Sequence, residues 1–408
     1  MEAECPDDPA RIEGGSVTVL FLSDISWHSL TQRPQHIARR LALRSPVLWI
    51  EPITLGHPWS VRPRLAGPGL QVVSVPQLPL NARAAWMRSL ARALSAVAPL
   101  RTLLESVQAA VVRRALHRLG WNGEPPAALV QNFQLIGLLA RLAPGGIVFD
   151  YIDDAFGFSR LPALAERQWQ ETVRRANRIA VTAPRLRQLI ERTEAGSRAV
   201  IRLIPNGVEY DRFASERPAP ADLPADAPIL CYVGSVYPWL DMELLEVLVR
   251  RAPETRLVII GRSHPDVVPR LRALEKNPNF LYLGSRPYEE IPAYLHAAAA
   301  GIIPFRRTRL TESVNPVKLY EYCAAGLPTI STAFSDDLQA FRDTILIART
   351  HEEFLSLVPR ALAQSGEARF RERLRAFARD NDWDSRASAI AELLAESRAE
   401  TTRGSHAP

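Results

Sequence analysis

Short apolar runs rich in β-branched residues recur along this chain, each followed by a segment long enough for a helix. The first series is VTVLFL (17–22), VLWI (47–50), LQVVSV (70–75), AALVQ (127–131), GIVFDY (146–151), RIAVTA (178–183) and VIRLI (200–204). A stretch rich in Pro, Asp and Ala follows (206–228). A second series then begins: ILCYVG (229–234), RLVIIG (256–261), FLYLG (280–284), AGIIPF (300–305) and PTIST (328–332). Runs that are apolar throughout belong to strands covered on both faces, the environment of a parallel sheet. Two such series around one linker predict an α/β chain of two doubly wound, Rossmann-like domains, 16–205 and 229–378. A C-terminal helix over 379–398 and disordered ends at 1–15 and 399–408 complete the expectation. Ligands of these sheets bind outside the carboxyl ends of the strands. With two domains facing each other, the expected site is the cleft between them.

Of the 408 residues, 47% are hydrophobic and 23% charged, ordinary for a globular chain. The net charge of +6 rests almost wholly on arginine and favours acidic partners. The arginines are scattered and no nucleic-acid module signature accompanies them, so nucleotide phosphates or an anionic lipid surface are expected and nucleic acid is not. Cys5, Cys231 and Cys323 show no metal-ligand spacing, and the last two lie in apolar surroundings, as in a reducing compartment. The start, MEAECPDDPARIEGG, lacks the apolar core of a signal peptide, and no run of about 18 apolar residues occurs. A cytoplasmic protein follows, with peripheral attachment to the inner face of the membrane left open. The arginine-dotted segment 83–120 has helical period and is broken at Pro99. It is expected to cover the sheet with solvated arginines, with contact to anionic lipid as the alternative.

The usual phosphate-binding signatures, GxGxxG and GxxxxGK[ST], are absent, and the eight histidines show no paired spacing that would suggest a metal. The phosphate handle must lie elsewhere, and NPVKLYEYCAAGLP (315–328) offers one. Read as a helix, it takes Asn315 as N-cap and Pro316 as first residue, and it ends at Gly326 before Pro328. Lys318 and Glu321 share a face. A lysine in the first turn opposes the helix dipole unless a stronger anion binds there. The competing reading is a solvated Lys–Glu pair. Asp241 reads more readily as the N-cap of the next helix than as a catalytic group.

Three stretches in order, IPNGVEYDRF (204–213), YVGSVYPWLD (232–241) and NPVKLYEYCAAGLP, resemble the C-terminal half of a GT-B glycosyltransferase close to family 4. YLGSRPYEEIPAYLHAAAAGIIPF (282–305) matches the same group. WHSLTQRPQHIARRLA (27–42) resembles a subset acting on bacterial cell-surface polysaccharides of the teichuronic-acid type, and related exopolysaccharide enzymes.

The resemblance implies an N-terminal domain for the acceptor and a C-terminal one for a nucleotide-sugar donor. It implies a sugar transferred to a hydroxyl of a glycan, a lipid-linked acceptor or a small molecule. Lys318 would neutralise the pyrophosphate without a divalent metal or other cofactor, Glu321 would hold the ribose hydroxyls, and Asn315 would cap the helix or touch the donor. Gly234, Ser235 and Arg262, at strand ends, join this donor set. Asp153 is the candidate base of an inverting transfer, with Asp154 orienting its loop. Trp27, Arg33 and His36 follow the first strand, where acceptor or phosphate would approach. One departure is visible: the Glu-x7-Glu spacing common in family 4 would place its first glutamate at Ser313, one position beyond Glu312. A natural-product glycosyltransferase, a sugar-nucleotide 2-epimerase and a non-catalytic sugar-nucleotide-binding subunit are the alternatives.

Overall fold

The computed structural model describes residues 17–54, 56–78, 85–121, 123–158, 163–196 and 199–404. The chain divides into two compact units, one formed by residues 1–204 with 386–408, the other by 205–385. The first unit holds β1 (Val19–Leu22), β2 (Val47–Pro52), β3 (Arg64–Gly67), β4 (Leu70–Val75), β5 (Ala127–Val130), β6 (Gly146–Tyr151), β7 (Arg178–Val181) and β8 (Ile201–Leu203). They form one sheet in the order β3-β4-β2-β1-β5-β6-β7-β8, parallel except for the β3–β4 pair. The seven expected strands are all present. The eighth, β3, is a four-residue edge strand with no fully buried side chain, so it carries no apolar run to read.

The second unit holds β9 (Ile229–Val233), β10 (Arg256–Ile260), β11 (Phe280–Gly284), β12 (Ala300–Ile303), β13 (Thr329–Thr332) and β14 (Leu346–Ala348), all parallel, in the order β11-β10-β9-β12-β13-β14. The strand order reverses beside β1 in the first unit and beside β9 in the second. A doubly wound sheet opens its ligand crevice at such points.

Three boundaries differ from expectation. Residues 206–228 belong to the second unit and contain a helix, Tyr210–Ala214, whose Phe213 is fully buried. The last helix runs Trp383–Gly404, through residues expected to be disordered, and 386–408 group with the first unit. Arg178 and Arg202 hold it there through Glu396, at 3.2 and 2.8 Å. The expected disordered stretch 1–15 and the final residues 405–408 lie outside the described residues.

The first sheet is stitched at its ligand end by a buried ion pair. Arg33, at the start of the helix Arg33–Leu41, donates from Nε and Nη2 to both oxygens of Asp150 on β6, at 3.0 and 2.8 Å. Gln131 adds a third bond to Asp150 at 2.8 Å. Both charges are almost wholly buried. Removing one partner of such a pair strands the other charge. Asp150→Ala is expected to cost about 3 kcal/mol or more of unfolding free energy, read as a lower urea midpoint with unchanged slope.

Candidate functional site

In the second unit the strands beside the reversal end on glycines. Gly234 follows β9 at φ 143°, and Gly261 follows β10 at φ 147°, a region that L side chains rarely adopt. A Cβ on Gly261 would overlap the Gly234 carbonyl oxygen. The two backbones therefore touch directly, and their polar groups lie bare at the strand ends. A Cβ on Gly234 would lie 3.1 Å from Cε of Lys318. Lys318 thus meets uncovered backbone just where the fold places a ligand.

The helix carrying Lys318 runs Val317–Ala324, with Gly326 just beyond it at φ 69° as expected. Its start differs from the local reading. Asn315 does not cap it, and Pro316, placed at the first helical position, is itself the cap residue, in extended conformation. Asn315 instead accepts from the Asn206 backbone N–H at 2.8 Å, while Asn206 Nδ2 donates to the Asn315 carbonyl at 2.7 Å. Its amide also hydrogen-bonds the Tyr320 hydroxyl. Asn315 is a buried clasp that fixes the helix to the chain entering this unit, not a cap. The first-turn N–H groups receive no side-chain cap, which leaves them for a ligand.

Lys318 and Glu321 do not make the solvated ion pair that the competing reading required. Among the described residues the Lys318 ammonium has no ion-pair or hydrogen-bond partner. It lies over two aromatic faces, 4.8 Å from the Phe305 ring centroid and 5.5 Å from that of Tyr232. Burial holds its pKa below the usual lysine range, against the opposing pull of Glu321. Glu321 is buried, and its pKa is raised by desolvation despite Lys318 and a hydrogen bond from Tyr288. Arg212 covers the Tyr288 ring at 5.3 Å and pairs with Glu209 at 2.9 Å. A cation held by π faces instead of a carboxylate keeps its charge available to an incoming anion.

Ser235 carries the loop on from Gly234, and its carbonyl accepts from the Tyr232 hydroxyl at 2.9 Å. Arg262 stands exposed after β10, with no ion-pair partner among the described residues. Asp241 caps the next helix by accepting from the Leu244 N–H at 3.0 Å. Glu312 is engaged by Arg307 at 2.8 Å, and Arg307 also binds Asp336. Gly261, Phe305, Tyr232 and Tyr288 escaped the sequence reading. The visible signal for the first was the repeated strand ending in glycine, YVG and VIIG.

In the first unit Asp153 and Asp154 follow β6. Asp154 is buried and caps its own loop by accepting from the Phe156 N–H at 3.0 Å. Asp153 has no hydrogen-bond or ion-pair partner among the described residues. Burial, then the like charges of Asp24 and Asp154, push its pKa from an ordinary 3.8 to about 7, against the opposing Arg33. Asp24, just past β1, was not singled out in the sequence.

The other first-unit candidates are structural. Arg33 gives Nε and Nη2 to Asp150 and is almost wholly buried, so this face of its guanidinium is engaged within the protein. His36 is buried within its helix. Trp27 is half-buried, with Trp49 edge-on at 5.1 Å and the Arg39 guanidinium over its ring at 5.2 Å, so its stacking face is covered.

Known proteins agree with this architecture. Residues 227–364, all within the second unit, match the family described as glycosyl transferases group 1. The second unit is thus similar to a group 1 glycosyl transferase domain. A curated relative, TuaH of Bacillus subtilis (strain 168), is 23% identical over 218 residues, and its name assigns it to teichuronic acid biosynthesis as a glycosyltransferase. The match spans 52% of this chain and 55% of TuaH, about half of each. Sucrose-phosphate synthase from Thermosynechococcus elongatus aligns over 94% of this chain and 100% of its own, at TM-score 0.69 and 18% identity. The E. coli trehalose-6-phosphate structure bound with UDP-2-fluoro glucose aligns over 92% and 99%, at 0.66 and 14%. Anabaena HepE, in complex with UDP and glucose, aligns over 93% and 100%, at 0.63 and 14%. Two parallel-sheet units in one chain are thus the GT-B fold, shared at identities too low to carry substrates across.

The Asp153 carboxyl has a thermodynamic signature. Its folded pKa lies above its unfolded value, so between about pH 4 and 7 the unfolded chain gives up this proton first, and its contribution to stability falls as pH rises through that window. Asp153→Asn should therefore raise the melting temperature at pH 8 and leave it little changed near pH 4, as followed by circular dichroism.

Proposed function

We propose that this protein is a glycosyltransferase that moves a sugar from a nucleotide-sugar donor to an acceptor hydroxyl. The observation that carries the reading is the Lys318 ammonium, without an ion-pair partner among the described residues, in the first turn of a helix that no side chain caps, against the bare backbone of Gly234. That arrangement suits a diphosphate, whose charge meets an ammonium and free N–H groups together. Glu321, three residues on along the same face, suits the ribose hydroxyls. Ser235 and Arg262 border the phosphate end.

In the transfer, the acceptor oxygen forms a bond to the anomeric carbon while the bond from that carbon to the diphosphate oxygen breaks. The electron pair leaves with the nucleoside diphosphate, and Lys318 with the helix N–H groups stabilises its charge, so no metal is needed on this account. Asp153 takes the hydroxyl proton. A base with a pKa near 7 is matched to that task, and a single unpaired carboxylate favours inversion at the anomeric carbon. The acceptor we favour is a lipid-linked or growing cell-surface glycan, handled in the cytoplasm at the inner face of the membrane. The surface-polysaccharide naming of TuaH and the basic charge support that choice.

Calorimetric titration with UDP, GDP, dTDP and ADP tests the donor site. One nucleotide should bind well, and Lys318→Ala should weaken it about ten- to a hundredfold, the worth of a charge-assisted hydrogen bond. Absence of binding, or indifference to the substitution, would return the helix to a purely structural role. Once an acceptor is in hand, kcat/KM should rise with pH through about 7 as Asp153 deprotonates. Asp153→Asn should lower it by about 10²–10⁴. A product formed from nucleotide sugar alone would point to an epimerase instead.

A further inference from the structure

Between β4 and β5 the chain forms two helices, Ala85–Ala96 and Ala98–Arg118, which pack on one another. The second covers the sheet as expected. Gln108, Ala109, Val112, Ala115 and Leu116 are buried, and Gln108 Nε2 donates to the Pro76 carbonyl at 2.7 Å. The first is turned the other way. Trp86, Leu90 and Leu94, spaced four apart, share one face and are 69%, 52% and 36% exposed, whereas among its described side chains only the small Ala91 and Ser95 are buried. Leu100, Leu103 and Val107 extend the exposed apolar surface onto the second helix. Soluble surfaces carry single exposed leucines without consequence, but a sustained stripe of this kind marks a contact.

The charge around the stripe selects the occupant. Residues 85–118 contain six arginines and a single acid, Glu105. That acid is already paired with Arg141 at 2.8 Å. Arg114 and Arg118 lie eleven residues beyond Leu103 and Val107, close to three helical turns, so they return to the same face, and both are exposed. Apolar side chains beside unneutralised guanidinium groups fit the boundary of an anionic bilayer, where the chains enter the acyl region and the arginines meet lipid phosphates. A second copy of this chain would set arginine against arginine. Among the described residues no helix is long and apolar enough to cross a membrane, so the contact is peripheral.

We propose that the helical pair 85–118 docks the protein on anionic lipid. The surface acts whether or not the donor-site reading holds, because vesicle binding and nucleotide binding are measured separately. Full-length protein would be floated with vesicles of phosphatidylcholine alone or mixed with phosphatidylglycerol. Binding is expected only to the mixed vesicles, falling with added salt. The double variant L90E/L103E should lose it about tenfold or more while keeping the wild-type melting curve and nucleotide affinity. Wild type that ignores the mixed vesicles, or a variant that binds them as well as wild type, overturns the proposal. So does a solution dimer that L90E/L103E dissociates, which would make the stripe a self-interface.

Discussion

The second unit is organised by a contact that admits no side chain. The Gly261 Cα packs directly on the Gly234 carbonyl, and both residues hold backbone angles that disfavour a Cβ. Three consequences follow from that bareness. The carboxyl ends of β9 and β10 come close enough for the Gly234 N–H to reach the Ile260 carbonyl at 2.9 Å. The Lys318 stem can lie against Gly234. Phe305, whose backbone bridges to Leu240 in the loop after β9, can bring its ring under the ammonium. A larger residue at either glycine would displace all of these together.

Carboxylates in the first unit show how one strand and its end serve opposite purposes. Asp150 and Asp153 are three residues apart. Asp150 receives a bidentate arginine and a glutamine, so its charge is neutralised and its desolvation offset. Asp153 faces Asp24 and Asp154 and receives no such partner among the described residues. A fold that can build the first arrangement is not short of ways to satisfy a carboxylate. Leaving the second unsatisfied holds stability below what the scaffold could reach, a pattern expected where a group is retained for chemistry. Lys318 repeats the pattern in the second unit, its desolvation opposed by π faces and a glutamate that forms no ion pair with it.

Much of this was legible in the sequence, and the limits have physical causes. Strands announce themselves by unbroken apolar runs, so twelve were found; the edge strand β3 has no such run, and β14 has only the short ILIA (345–348), which was passed over. Lys318, Gly234 and Asp153 could be singled out as candidates because each stands just past a strand or in a first helical turn, positions that local pattern defines, and Glu321 because it lies three residues on along the Lys318 face. Arg33 and Asn315 were misjudged for the converse reason. Arg33 is claimed by Asp150, 117 residues away, and Asn315 by Asn206, 109 residues away. A partner that distant leaves no trace in spacing, so a buried arginine looks like a phosphate ligand and a clasp looks like a cap.

The helix Ala85–Ala96 exposes a further limit of periodicity. A repeat of apolar residues every three or four positions establishes that a helix has an apolar face. It does not establish what that face touches, because sheet, bilayer and partner protein all reward the same pattern. The ordinary inference assigns it to the sheet, since most amphipathic helices are held that way. Here that inference succeeds for the helix Ala98–Arg118 and fails for its neighbour, although the two share a composition of alanine, leucine and arginine. What separates them is the size of the residues on each side: the neighbour buries Ala91 and Ser95, which allow close approach, and turns Trp86 outward. Bulk on the solvent side and small residues on the protein side reverse the arrangement that core packing would favour.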